Sequence, residues 1–407
     1  MSLLGALRTG MSGMNAQSNR ISTVAENVQN AGTTGYKRVS TEFSSLLLSS
    51  SATGDYNSGS VETVQRRAVS DEGARVSTSS KSDLAIAGNG FFVVKDASGA
   101  SYLTRAGNFV PDGSTGTFKN AAGFTLMGYS LKNGQASPTL NSLDGMVPVN
   151  ISALGMKASA STKGALTGNL DSTAAAVTSG AVPAGSNYSK KTSLVTYDNL
   201  GKAVTLDIYL TKTGDNAWSA SVYDASNSAS FPASPLTTIP LGFVNGKVTS
   251  GGTGSVTVPN GQPVSLDLTG MTQLASATDI KGSADGSKAS AVTGAEFAAD
   301  GTVYAVYEDN SKVAAFKIPI ADVDSPDNLK PRAGNVYETT LESGALQVGF
   351  ANQGGRGGIV SGALEQSNVD VSTELTSMIA SQTVYTANSK VFMTSNEMLD
   401  TLMQLKR

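Results

Sequence analysis

Along residues 1–28, MSLLGALRTGMSGMNAQSNRISTVAENV, the apolar side chains of Leu4, Leu7, Met11, Met14, Ile21, Ala25 and Val28 keep a three- and four-residue spacing. That spacing predicts one face of a helix roughly 42 Å long, with a stripe that needs a partner along its whole length. No other segment of the first eighty residues carries a matching stripe. The pattern ends in NAGTTGYKR, residues 30–38, where two glycines stop it. A second stripe occupies the other end of the chain: Leu375, Met378, Gln382, Tyr385, Ser389, Phe392, Asn396, Leu399 and Met403. Ser372 or Thr373 is the expected cap of this second helix.

Between the stripes the period changes from helical to extended. Residues 39–82 are rich in Ser, Thr and Gly, with one apolar patch at Leu46, Leu47 and Leu48, and read as an irregular connector. DLAIAGNGFFVV (83–94) predicts a hairpin around Gly-Asn-Gly, and 102–129 continues as a meander of short strands. Two stretches of mostly Ala, Ser, Thr and Gly, 155–190 and 275–294, read as linkers. Between them TSLVTYDNLGKAVTLDIYLTKTGDNAWSASVYD gives three strands, with Val204, Leu206, Ile208 and Leu210 on a buried face and Thr205, Asp207 and Tyr209 on a wet one. Trp218, the single tryptophan, is expected to anchor that core. Strands resume at 301–320.

The predicted fold class is therefore α+β, mainly β. Residues 1–30 and 365–407 form a coiled-coil-like terminal helical domain, 31–82 a connector, 83–150 and 287–364 an inner β domain, and 151–286 an outer β domain inserted in the inner one. The two terminal helices are natural partners for one another. As a lone pair they gain little: Gln382, Ser389 and Asn396 dilute the second stripe, and Gly5, Gly10, Gly13 and Ala16 thin the first. Those small residues would let many helices crowd together. Polymerisation is one use for such ends, and an intramolecular hairpin capping the β domains is the other.

Composition narrows the chemistry. Histidine and cysteine are both 0, which excludes a Ser-His-Asp triad, a thiol nucleophile, a thiolate zinc site and a disulfide. GGRGG at 354–358 lacks the Lys-Ser/Thr of a phosphate loop, and DVDSPD at 322–327 lacks the Gly and bidentate Glu of a calcium loop. No catalytic, metal or cofactor residue is assigned. A carboxylate-based glycosidase or a sugar-binding module would want aromatic platforms, and aromatics make up only 6% of the chain. A formal charge of −3 offers nothing to nucleic acid or an anionic membrane. No run of about eighteen apolar residues is present for membrane insertion, and no cleavable signal opens the chain.

The segment SGMNAQSNRISTVAENVQNAGTTGYKR strongly resembles the start of the bacterial flagellar rod and hook family, whose first helix closes on an N-x-x-N-x-x-T-x-G-[YF]-K element. Here those positions are Asn27, Asn30, Thr33, Gly35, Tyr36 and Lys37. DLAIAGNGFFVV and YLTRAGNFVPDG look like the family's next block, and GALEQSNVDVSTELTSMIASQTVYTANSKVFMTSNEMLDTLMQLKR is very like its C-terminal signature. The β block at 191–274 resembles the outer domain of the hook members. The resemblance implies a non-enzymatic structural subunit that polymerises with itself into the hook, a curved extracellular tube that transmits torque as a universal joint. Another axial component, in the distal rod or the hook–filament junction, is the alternative. Implied partners are the rod, hook-cap and junction proteins, and the flagellar type III export apparatus, which explains export without a cleavable signal. Both stripes would then form the polymerisation seam.

Overall fold

In the computed structural model the described residues are 3–47, 58–132, 142–177, 187–225 and 234–405. Two helices bracket the chain, α1 (Leu3–Gln29) and α2 (Val371–Leu405), and everything described between them is extended or turn apart from short 3₁₀ segments. The chain divides into two compact units, one of residues 1–154, 294–306 and 312–407, the other of 155–293 and 307–311.

In the first unit α1 and α2 pack antiparallel, Asn27 meeting Glu374 and Gly10 facing Phe392. The expected irregular connector is instead a long hairpin, β1 (Val39–Leu47) against β2 (Ser58–Arg67), in antiparallel register from Val39↔Arg67 to Leu47↔Ser58. Ser and Thr fill it, so it lacks apolar alternation, yet such residues pair well on a half-wet ribbon. The hairpin lies along α1: Val61 N–H donates to Ser12 Oγ at 2.9 Å, Asn19 Nδ2 to Thr63 Oγ1 at 2.9 Å, and Thr41 Oγ1 to Thr23 Oγ1 at 2.9 Å. So α1 does have a partner within the first eighty residues. Leu48 of the apolar patch lies outside the described residues.

The sheet of this unit runs 302–307, 312–317, 125–130, 91–95, 101–104, 336–338 and 330–332, each pair antiparallel. Its core holds Phe91, Val93, Leu103, Met127, Tyr337 and Phe350. The hairpin expected within DLAIAGNGFFVV does not form. Strand 84–87 pairs with 358–361, and 91–95 pairs with 101–104, 125–130 and 319–322. Both runs are buried, so each needs neighbours other than its sequence neighbour. The corner between them docks on the GGRGG segment, where Gly357 N–H donates to Asn89 O at 2.9 Å. In DVDSPD, Asp327 accepts from both Ser70 N–H and Ser70 Oγ, at 2.9 and 3.0 Å.

In the second unit the sheet order is 190–197, 203–214, 217–224, 237–244, 247–251, 271–274, 163–171, 263–267 and 253–257. Trp218 is buried with Leu206, Ile208, Leu210, Val222, Ile239 and Leu241. Neither small-residue stretch is a linker throughout. Strand 163–171 runs parallel to both 263–267 and 271–274 and antiparallel to 279–284. Its few large apolar side chains, Leu166 and Leu170, are fully buried. Gly164, just before them, leaves room that a neighbour fills; a Cβ there would come within 2.7 Å of Leu266. The wet face expected on 203–214 is covered too. Asp207 is buried, accepting from Ser193 Oγ at 2.6 Å with Lys191 Nζ at 2.7 Å, and Tyr209 packs edge-on to Tyr188 and Tyr223.

Candidate functional site

The site is the α1–α2 pair and the polar cluster at its base. Capping of α2 falls to Asp370, not to Ser372 or Thr373. Its carboxylate accepts Ser372 N–H at 2.9 Å and Thr373 N–H at 3.3 Å, and these bonds hold its pKa below the usual carboxylate range. Ser372 and Thr373 point their backbone donors at it because they occupy the second and third positions of the first turn.

Contact between the helices is close and made of small side chains. A Cβ on Gly13 would lie 2.6 Å from Asn388 Nδ2, and one on Gly10 3.3 Å from Asn388 O. From the sequence stripes, Leu7, Met14, Ile21 and Val28 are half-buried, Met11 and Ala25 are exposed, and the side chain of Leu4 lies outside the described residues. On α2, Met378, Phe392 and Leu399 are half-buried, whereas Leu375, Tyr385 and Met403 are exposed, as are the polar Gln382 and Asn396. The covered face of α2 is rotated from the apolar stripe. Its buried or half-buried positions are Glu374, Ser377, Met378, Ser381, Asn388, Ser389, Phe392, Ser395 and Leu399. Two thirds of that face is polar. The apolar surplus points outward: Val371, Leu375, Ile379, Val384, Tyr385, Val391, Met393, Met398, Leu402 and Met403 are all exposed, Ile379 at 64% and Met403 at 72%.

At the base of the pair every family-motif position has a job. Asn27 is fully buried with all four bonds satisfied: Nδ2 donates to Val39 O at 2.7 Å and Glu374 Oε2 at 3.1 Å, while Oδ1 accepts Val39 N–H at 2.9 Å and Tyr36 OH at 3.3 Å. Asn30 Nδ2 donates to Glu26 O at 2.9 Å and its Oδ1 accepts Thr33 Oγ1 at 3.2 Å, which closes the last turn of α1. Gly35 has φ +69°, and a Cβ there would meet Ala106 N at 2.7 Å. Burial raises the pKa of the Tyr36 phenol above its ordinary value.

Lys37 is wholly buried and donates to Glu365 Oε1 at 2.7 Å and to Asp71 O. Arg105 NH1 approaches Glu365 Oε2 at 3.2 Å, and Gly73 N–H donates to Oε1 at 3.0 Å. Desolvation lowers the Lys37 pKa against the pull of Glu365. Nearby, Arg38 Nε meets Glu374 Oε1 at 2.6 Å and Arg38 N–H donates to Asn368 Oδ1 at 2.7 Å. The cluster is thus a latch: it ties the end of α1, strand 363–365 and the first turn of α2 through Glu365, Asn368 and Glu374. Sequence reasoning singled out the N-terminal half of this latch and missed the C-terminal half and Arg105. A lysine and an asparagine in a segment destined for burial were the signal, since each demands partners.

Among the described residues no group of acidic side chains is arranged to hold a metal, and no helix is long and apolar enough to cross a membrane. What the site offers is a preformed base and a long helix with large apolar side chains exposed on both flanks of the α1 contact.

Comparison with known proteins agrees along the whole chain. Family models match in order: flagellar basal body rod protein at residues 7–37, flagellar hook protein FlgE/F/G D1 domain at 85–167, flagellar basal body protein FlaE D2 domain at 169–286, and flagellar basal body rod FlgEFG protein C-terminal at 360–405. The flagellar hook protein FlgE of Rhizobium meliloti is 48% identical over 422 residues, covering 100% of both chains, and that of Brucella abortus is 45% identical over 410 residues with the same coverage. A crystal structure of Helicobacter pylori flagellar hook protein FlgE2 aligns with a TM-score of 0.46 at 15% identity, over 72% of this chain and 100% of that one. Full-length identity at this level, with the N- and C-terminal models falling on the two halves of the latch, places the chain in the flagellar hook protein family.

Proposed function

We propose that this chain is the repeating subunit of the flagellar hook, and that α1 and α2 are the seam through which copies polymerise into a curved extracellular tube that passes motor torque to the filament. The observation that carries this reading is the exposed apolar surface of α2, which flanks the α1 contact on both sides. Ten large apolar side chains stand exposed along 35 residues, about 52 Å of helix. A soluble monomer rarely leaves so many large apolar side chains of one helix in water; neighbouring copies give them cover. Small side chains on the other face let α1 seat closely, so the pair presents a slim rod suited to crowding. The helical pairs form the inner wall, and the chain's partners, besides its own copies, are the rod, the hook cap, the junction proteins and the type III export apparatus. Export through that apparatus needs a chain that unfolds readily, which the absence of any disulfide and the thin α1–α2 contact favour.

Leu402→Asp and Ile379→Asp test the seam, since both side chains are exposed in the single subunit. Each places a charge where a neighbour must pack. Under conditions where the unchanged protein forms tubes by electron microscopy, both variants keep the cooperative β melt seen by circular dichroism and form none. Normal tubes from either variant contradict the assignment of that residue's face to the seam.

A further inference from the structure

Beside the face that α2 turns toward α1, the same helix carries a second heptad row. Val384, Val391 and Met398 recur every seven residues, interleaved with Ala380 and Ala387, and all five are exposed. Glu374 apart, the charged side chains of α2 among the described residues are Lys390, Glu397 and Asp400, and none falls on this row. Helix α1 has a row of the same period that neither α2 nor the β1–β2 hairpin covers. Met11, Ser18 and Ala25 recur every seven residues, interleaved with Asn15 and Ser22; all are exposed and none is charged.

The α1–α2 contact fixes how these two rows stand. Gly10 lies against Phe392, where a Cβ on the glycine would come 3.5 Å from that of the phenylalanine. Met11 follows Gly10, and Val391 precedes Phe392. At about 100° per residue in antiparallel helices, those two steps turn the rows to opposite faces of the pair. They are therefore kept apart within one subunit. Yet they stand level: counted from the same contact, Met11 matches Val391, Asn15 matches Ala387, Ser18 matches Val384 and Ser22 matches Ala380.

We propose that the Val384–Val391–Met398 row of one copy packs on the Met11–Ser18–Ala25 row of a second copy, antiparallel and in the register of the intramolecular pair, a contact that rests on the polymerisation reading above. It continues the α1–α2 interface from copy to copy, each α2 seated between its own α1 and that of a neighbour. The neighbour's α1 fits this row better than the neighbour's α2 does. On the face that Met11 shares, α2 carries Gln382, Asn396 and Asp400, and packing them on valines would strand polar groups and a charge. The α1 row strands no charge, and its serines and alanine leave room for valine and methionine knobs. A two-fold axis along the helices would turn the second copy's rows away, and one across them would make the contact parallel. The contact therefore repeats head to tail and leaves one row of each kind open at the ends of a growing file.

The chain has no cysteine, so introduced pairs report the contact cleanly. Tubes of the Met11→Cys, Val391→Cys double variant, oxidised after assembly, are expected to give a ladder of covalent oligomers on denaturing gels, as are tubes of the Ser18→Cys, Val384→Cys variant. Met11→Cys with Val384→Cys, one heptad or about 10 Å out of register, is expected to give none. Val391→Asp is expected to raise the concentration needed for assembly roughly tenfold or more while leaving the melt of the single chain unchanged. Tubes of the two matched pairs without a ladder, a covalent dimer alone, or an equal ladder from the mismatched pair overturns the contact. So does assembly of Val391→Asp at the unchanged concentration, or a ladder from Val391→Cys with Met393→Cys, which would set the neighbour's α2 on this row instead. Failure of the unchanged chain to form tubes overturns the reading of function, and the contact with it.

Discussion

Strand 203–214 and helix α2 handle their apolar side chains in opposite ways. The strand buries five consecutive residues, Leu206 to Leu210, including an aspartate matched to Lys191. Helix α2 turns Glu374, Ser381 and Ser395 inward and leaves Ile379, Met393, Leu402 and Met403 in water. The first arrangement is complete in a single molecule. The second leaves large apolar side chains uncovered in a single molecule. A polymer subunit has reason to divide its chain this way: β units must hold their shape alone, while the ends must prefer company. The latch of Lys37, Glu365, Asn27 and Glu374 stands at the border, fixing where the helical pair departs from the β unit without adding apolar grip along its length.

That contrast can be broken from either side. The largest effect on a single chain is expected at the latch. Glu365→Ala leaves Lys37 and Arg105 buried without their carboxylate and should cost about 3–5 kcal/mol. Calorimetry should report this as a fall in the transition of the unit containing residues 1–154, with the 155–293 transition unmoved. Ile208→Ala reverses the pattern. It cuts a cavity in the other core, costs about 2–5 kcal/mol there, and should leave assembly through the helices possible at low temperature.

A smaller effect follows from Tyr337, whose burial pushes its pKa up to about 12. The folded chain keeps this proton after the unfolded chain has released its own near pH 10. Its contribution is therefore fully present below about pH 10 and lost as pH rises through about 12, some 2–3 kcal/mol in all. Tyr337→Phe removes this dependence, and the alkaline unfolding midpoint of that unit should rise relative to the unchanged chain at equal starting stability.

Much of this organisation was legible in the sequence, and the misses have common physical roots. Periodicity located both helices because three- and four-residue spacing survives dilution by Gly and Ser. It chose the wrong face of α2 for contact with α1, since it follows hydrophobicity, and there the apolar stripe looks partly away from the intramolecular partner. Leu375, Tyr385 and Met403 are where that choice fails, while Met378, Phe392 and Leu399 lie on the border of both faces. Strand 163–171 and hairpin β1–β2 look like linker and connector in the sequence because their side chains are small and polar. Their pairing is decided by partners about a hundred residues away for the strand and by α1 for the hairpin. The motif from Asn27 to Lys37 was visible as a unit, but its meaning lies in Glu365 and Glu374, more than 300 residues later.

Hydrogen exchange of the same protein, dilute and assembled, tests the division between self-sufficient β units and company-seeking ends. In dilute solution the amides of 206–210 are expected to exchange only by global opening of their unit, and those along α2 beyond its first turns orders of magnitude faster; in tubes the two should converge. Equal, strong protection of α2 in the dilute single chain would contradict the account.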